Sequence, residues 1–153
     1  MHGYDIVELF PFTSDVDAQA VVGLHNAVGR EKIPYRQDAS VEQYRAKNDE
    51  PGIDMRHFGI ADADGDLIGL LIAGVWVDGT NSHLVWVQIG VRQDVRKRGV
   101  GRALLHRAVA LAKEKGKSLI TADTISTVPA GKEFSEVIGA DVAMRELTNT
   151  VLT

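Results

Sequence analysis

The chain contains no cysteine, which removes disulfides, thiolate metal sites and a cysteine nucleophile from consideration. No apolar run approaches the roughly 20 residues that a membrane-spanning helix requires. The opening residues, MHGYDIVELF, lack a basic segment followed by a long apolar stretch, so no secretion signal is visible. Internal repeats, low-complexity tracts and linkers are lacking too. These absences lead us to expect one domain over residues 1–153, cytoplasmic and without a membrane partner.

What is present is ordinary in bulk and uneven in distribution. Apolar residues make up 44% and charged residues 25% of the 153, the balance of a globular protein large enough for a core. The net charge of −4 hides an asymmetry. Residues 92–117 hold nine Lys or Arg against Asp94 and Glu114, about +7, whereas the remainder carries about −11. An acidic body with one basic turn suits a small polyanion better than a nucleic acid, which usually needs a broad basic face.

The basic turn lies inside the most organised stretch, residues 84–116. It begins LVWVQIGV, nearly continuous apolar residues that predict a central strand covered on both faces. The turn carries Arg96, Lys97, Arg98, Gly99, Val100, Gly101 and Arg102. Val100, Leu104, Ala108, Leu111 and Ala112 then recur at helical spacing, and Gly116 ends the helix. A strand, a glycine turn and a helix start make an anion site, because the first helical amides lack partners and the dipole is positive there. Lys113, Lys115 and Lys117 read as a solvated helix face. The cations from Arg96 to Arg102 do not, since they precede a helix whose dipole disfavours them.

Around that stretch, a short strand is expected near residues 4–10. Ser14 or Asp15 caps a helix to about Arg30, with Ala20, Val21, Val22, Leu24 and Val28 as its buried side. Ser40 caps a second, from Val41 to about Asn48. Strands over residues 55–63 and 67–77 meet at Asp64-Gly65, a hairpin signal, and form an antiparallel meander with the strand at 84. Asp62, Asp64 and Asp66 superficially suggest a calcium loop, but Ala73 stands where the twelfth-position glutamate belongs, so they read as a turn. A strand over residues 118–124 should lie parallel to the central one, through a crossover. A short helix over 130–138 and a last strand-like segment over 141–152 complete a mixed α/β domain.

A dinucleotide fingerprint would need a third glycine where Leu104 stands, and no Gly-Lys-Ser or Gly-Lys-Thr of a Walker-type loop occurs. The strand ending IGV, the turn Arg96-Lys97-Arg98-Gly99-Val100-Gly101 and the following ALL instead resemble the acetyl-CoA-binding motif of the GNAT superfamily of N-acetyltransferases. That motif runs Arg or Gln, two residues, Gly, one residue, Gly or Ala. The order of elements extends the resemblance over nearly the whole chain.

The resemblance implies a GNAT fold and direct acetyl transfer from acetyl-CoA to an amine, on a small molecule or a protein, without a metal. It implies that amides of residues 98–102 hold the CoA pyrophosphate, with Arg96 and neighbouring cations balancing its charge. Ile89, Gly90 and Val91 would pair with the pantetheine arm. Gly90 admits three explanations: that approach, a bulge, or packing alone.

Catalytic groups are less legible. The family's late-helix pattern, Phe-Tyr-Glu-x-x-Gly, is here Phe134, Ser135, Glu136, Val137, Ile138, Gly139, so Ser135 replaces the tyrosine that protonates the CoA sulfur. His83, at the start of the central strand, is the candidate base, ahead of Glu133, Asp123 and His57. The run from Thr121 through Pro129 and Gly131 to Glu146 also resembles the end of the first domain in bacterial tandem-GNAT proteins. This implies a fragment of a longer chain, or a last strand supplied by a homodimer partner or a second GNAT domain. A non-catalytic acyl-CoA-binding or sensor domain is the alternative reading.

Overall fold

The computed structural model describes residues 4–35, 37–80, 82–117 and 119–122, which fall within one compact unit. The expected late helix, the last strand, Asp123, Glu133 and Ser135 lie outside the described residues.

A five-stranded sheet in the order β1-β2-β3-β4-β5 forms the scaffold. Its strands are β1 (Val7–Leu9), β2 (Ile53–Ala61), β3 (Leu67–Trp76), β4 (Leu84–Val91) and β5 (Leu119–Ala122). The first four pair antiparallel, and β5 runs parallel to β4 after the crossover helix, as the mixed α/β expectation required. The helices are α1 (Asp15–Lys32), α2 (Val41–Asn48) and α3 (Val100–Glu114). None of them is long and apolar enough to cross a membrane.

Local chemistry sets the helix starts. Ser14 caps α1 by accepting from the Asp17 amide at 3.2 Å. Ser40 and Gln43 form a reciprocal capping box at α2, which satisfies two otherwise orphaned amides. Asp62 accepts from the amides of Asp64 and Asp66, at 2.9 and 3.0 Å, so its carboxylate closes the β2–β3 turn.

Alternation along the strands sorts side chains to two faces. On one, Val85 and Val87 of β4 pack with the buried α3 residues Val100, Leu104, Ala108 and Leu111. On the other, Leu70 and Ile72 of β3 pack with Val21, Val22 and Leu24 of α1 and Tyr44 of α2. Ala18 is buried in α1, whereas Ala20 and Val28 are only half-buried. β3 is covered on both faces along most of its length. β4 departs from the same expectation: Gln88, Ile89, Gly90 and Val91 are half-buried.

Gly69 of β3 decides how closely α3 approaches. A β-carbon there would lie 2.5 Å from Val100 Cγ1 and 3.1 Å from Leu104 Cδ1. The first turn of α3 therefore rests on bare backbone, which fixes its amino end beside the end of β4.

Candidate active site

The segment between β4 and α3 is a tight, partly strained turn. A short 3₁₀ turn, Gln93–Val95, is followed by Lys97 at φ 63° and Gly99 at φ 86°. Glycine takes the left-handed conformation freely, but lysine pays about 1–2 kcal/mol for it. Tyr4 steadies the turn by donating its hydroxyl to the Arg98 carbonyl at 2.7 Å. Val95 is anchored against the core beneath α3.

Gly99 is the N-cap of α3 and has no side chain to offer the helix. The first helical bond closes from the Ala103 amide to the Gly99 carbonyl, at 3.0 Å. The amides of Val100, Gly101 and Arg102 thus precede any intrahelical acceptor. No acidic residue occupies this first turn. Lys97, Arg98 and Arg102 are exposed around it. A positive dipole end ringed by cations is a repulsive arrangement until an anion enters.

Arg96 is placed differently from its neighbours. Its Nε donates to the Val91 carbonyl at 3.1 Å, and its two terminal nitrogens grip the Glu31 carboxylate on α1. Arg92 is likewise occupied, by Asp94 at 2.6 Å and Asp62 at 3.6 Å. Among the named cations, Arg96 is brought to the turn as a strut between elements.

The end of β4 presents backbone in alternating directions. The Arg92 amide donates to Ile68 at 2.9 Å, and the β3–β4 register runs unbroken from Val85 to Val91. Gln88 and Gly90 therefore turn their main-chain groups to β3, and Ile89 and Val91 turn theirs away from it. The described parallel pairing ends at Val87 with Ala122, so Ile89 and Val91 lie past it. Gly90 holds no bulge. A β-carbon there would meet Val28 Cγ2 at 3.3 Å, so this glycine makes room for α1.

His83 is exposed at the opposite end of β4, its carbonyl accepting from the Leu119 amide at 3.1 Å. Six residues of strand separate it from Ile89, about 20 Å. It is not brought to the turn. Ser135 lies outside the described residues.

The side of the sheet facing α1 and α2 carries residues that sequence spacing did not single out. A shallow groove between α1 and the end of β4 is lined by Leu24, His25, Val28, Gln88 and Gly90, among others. His25 is its only titratable lining residue among those described. The His25 ring stacks edge-on against Tyr44, with centroids 5.3 Å apart. Tyr44 in turn shares a 2.8 Å hydrogen bond with Nε2 of buried His57. Burial, followed by the charge of His25, depresses the His57 pKa to about 4. Burial also raises that of Tyr44. At neutral pH this pair is uncharged, a packed polar contact beneath α2. Among the described residues, no group of three or more His, Asp or Glu gathers to hold a metal.

Comparison with known families matches residues 22–135 to the Acetyltransferase (GNAT) family. The chain belongs to the GNAT acetyltransferases. Solved structures with the same GNAT fold include a ribosomal-protein-alanine N-acetyltransferase from Brucella melitensis biovar Abortus 2308. It is 19% identical, with 95% of this chain and 98% of that chain covered at a TM-score of 0.73. A transcriptional regulator from Bacillus halodurans C-125 is 20% identical, covering 95% and 97%, at a TM-score of 0.69. The aminoglycoside N-acetyltransferase AAC(6')-Iy in complex with CoA is 20% identical, covering 94% and 91%, at a TM-score of 0.67. No curated protein sequence matches this GNAT chain.

Proposed function

We infer that the chain is an acetyl-CoA-dependent N-acetyltransferase acting directly on an amine. One observation carries this reading: the α3 amino end offers three helical amides without an intrahelical acceptor and no acid in its first turn, among exposed cations. In this reading the amides of Val100, Gly101 and Arg102 hold the pyrophosphate of CoA. Arg98 and Arg102 balance its charge, with Lys97 beside them. Arg96 keeps the turn in place through Val91 and Glu31.

The main-chain groups of Ile89 and Val91, directed away from β3, serve as a strand edge for the pantetheine arm. The Val91 N–H is the donor for the thioester oxygen as negative charge develops on it. Acetyl-CoA supplies a thioester carbonyl: the amine forms the new C–N bond, the C–S bond breaks, and sulfur leaves as thiolate. The nitrogen releases one proton, which we assign to His25 on the groove wall beside Gln88 and Gly90. Holding the reactants together contributes much of the acceleration.

A thiol-release assay with acetyl-CoA tests this, using an amine panel that spans aminoglycosides, peptide N-termini and small monoamines. Amine-dependent release is the expected result. Acetyl-CoA binding without release with any amine would assign the acyl-CoA-binding reading instead.

A further inference from the structure

Tyr4 stands just ahead of β1, and its place is set by the sheet. β1 pairs with β2 through Val7, Glu8 and Leu9, while Tyr4 and Ile6 pack against the core cluster that contains Val100 and Leu104. The Tyr4 hydroxyl is thereby carried to the Arg98 carbonyl, 94 positions away, and donates to it at 2.7 Å. The ring edge lies alongside: a β-carbon on Gly99 would stand 3.9 Å from Tyr4 Cε2.

That bond fixes the direction of one peptide group. Among the described residues no peptide bond is cis, so the Gly99 N–H points opposite to the Arg98 carbonyl. With the carbonyl held at Tyr4, the Gly99 N–H is turned away from Tyr4. Gly99 is left-handed, at φ 86° and ψ 3°, and Val100 opens the right-handed helix. A left-handed residue followed by a right-handed one aims successive N–H groups into one concavity. The Gly99 N–H therefore joins those of Val100 and Gly101 on the anion side. Glycine accepts φ of either sign, so this peptide can turn over at small cost when nothing holds it. Turned over, it would present the carbonyl oxygen to a phosphate and repel it.

We propose that Tyr4 is a positioning residue for the CoA pyrophosphate: its hydroxyl locks the Arg98–Gly99 peptide with the amide facing the anion. The proposal rests on the acetyltransferase reading above. Tyr4 acts through the peptide, so its effect falls on cofactor affinity and not on the transfer step.

Arg98–Gly99 is the only arginine–glycine step in the chain, so ¹³C-carbonyl arginine with ¹⁵N-glycine labels that one peptide. NMR then reads both of its ends. In the native chain, acetyl-CoA should move the Gly99 amide proton downfield and leave the Arg98 carbonyl carbon near its ligand-free position. In Tyr4→Phe, which keeps the ring and loses the hydroxyl, the carbonyl carbon should shift before any ligand is added. Acetyl-CoA should bind this variant roughly three- to tenfold more weakly in calorimetry. With an amine that the native chain acetylates, KM for acetyl-CoA should rise by a similar factor at unchanged kcat. Ser40→Ala, which removes the cap of α2, is the stability control and should bind acetyl-CoA as the native chain does.

Native affinity in Tyr4→Phe, or a Gly99 amide that stays in place as acetyl-CoA binds, would overturn the proposal and leave the acetyltransferase reading standing. So would a fall in kcat at unchanged KM, or equal weakening in Ser40→Ala. Failure of the native chain to bind acetyl-CoA would strike that reading, and this proposal with it.

Discussion

Arg96 and Glu31 form a two-pronged ion pair that joins the turn after β4 to the last turn of α1, across 65 positions of sequence. The pair is partly shielded, with side-chain exposures of 19% and 26%, and Arg96 also donates to the Val91 carbonyl. A guanidinium engaged in this way positions the turn and is not waiting for phosphate. Glu31→Ala should therefore cost about 1–2 kcal/mol of stability in urea unfolding, and weaken acetyl-CoA binding several-fold in calorimetry. Tighter acetyl-CoA binding by this variant would show that Arg96 is a phosphate ligand held in reserve.

His57 predicts an acid-sensitive fold. Its folded pKa, about 4, lies below the ordinary 6.5, so the unfolded chain binds the proton more readily. Stability is then full above pH 6.5, falls as pH drops toward 4, and is level below that as far as this residue is concerned. The full loss is about 3 kcal/mol. His57→Gln, which retains an acceptor for Tyr44, should flatten this part of the stability profile. An unchanged profile in urea titrations at pH 7, 5.5 and 4.5 would contradict the assignment.

Gly69 gives a packing prediction that reaches the site. Gly69→Ala places a methyl group 2.5 Å from Val100 Cγ1, so the Val100 side chain or the first turn of α3 must shift. Such overpacking costs about 1–3 kcal/mol. Because Val100 opens α3, the variant should lose acetyl-CoA affinity as well as stability, read by thermal unfolding and calorimetry on one preparation. Loss of stability alone would separate α3 seating from the cofactor turn.

His25→Gln should lower amine-dependent turnover by about 10² or more. Acetyl-CoA affinity should be preserved. A variant that turns over amine at the parental rate would exclude His25 as the proton acceptor.

The parts of this account that were legible in sequence are those written locally. The stripe Val100, Leu104, Ala108, Leu111 announced α3, Asp64-Gly65 announced the β2–β3 turn, and Gly99 with Gly101 announced the helix start. What was not legible depends on register and on contacts between distant segments. Nothing near Arg96 signals Glu31, and nothing near Arg98 signals Tyr4, 94 positions away. Gly90 showed the same limit: its neighbour is Val28 of α1, a contact that strand spacing alone cannot reveal. His83 is noticeable by residue type, and the strand sets it about 20 Å from Ile89.

Calorimetry with acetyl-CoA on the native chain and on Gly101→Glu tests whether the α3 amino end binds the CoA pyrophosphate. Glutamate in the first turn of a helix is favoured by propensity and by the dipole, and thermal unfolding of the half-buried Gly101 variant checks its fold alongside. Its carboxylate would nonetheless occupy and repel the anion site. The parent should bind one acetyl-CoA per chain, and the variant should bind at least roughly 100-fold more weakly, ~2.7 kcal/mol. No binding by the parent at high micromolar concentration, or equal affinity in the variant, would contradict the pyrophosphate site.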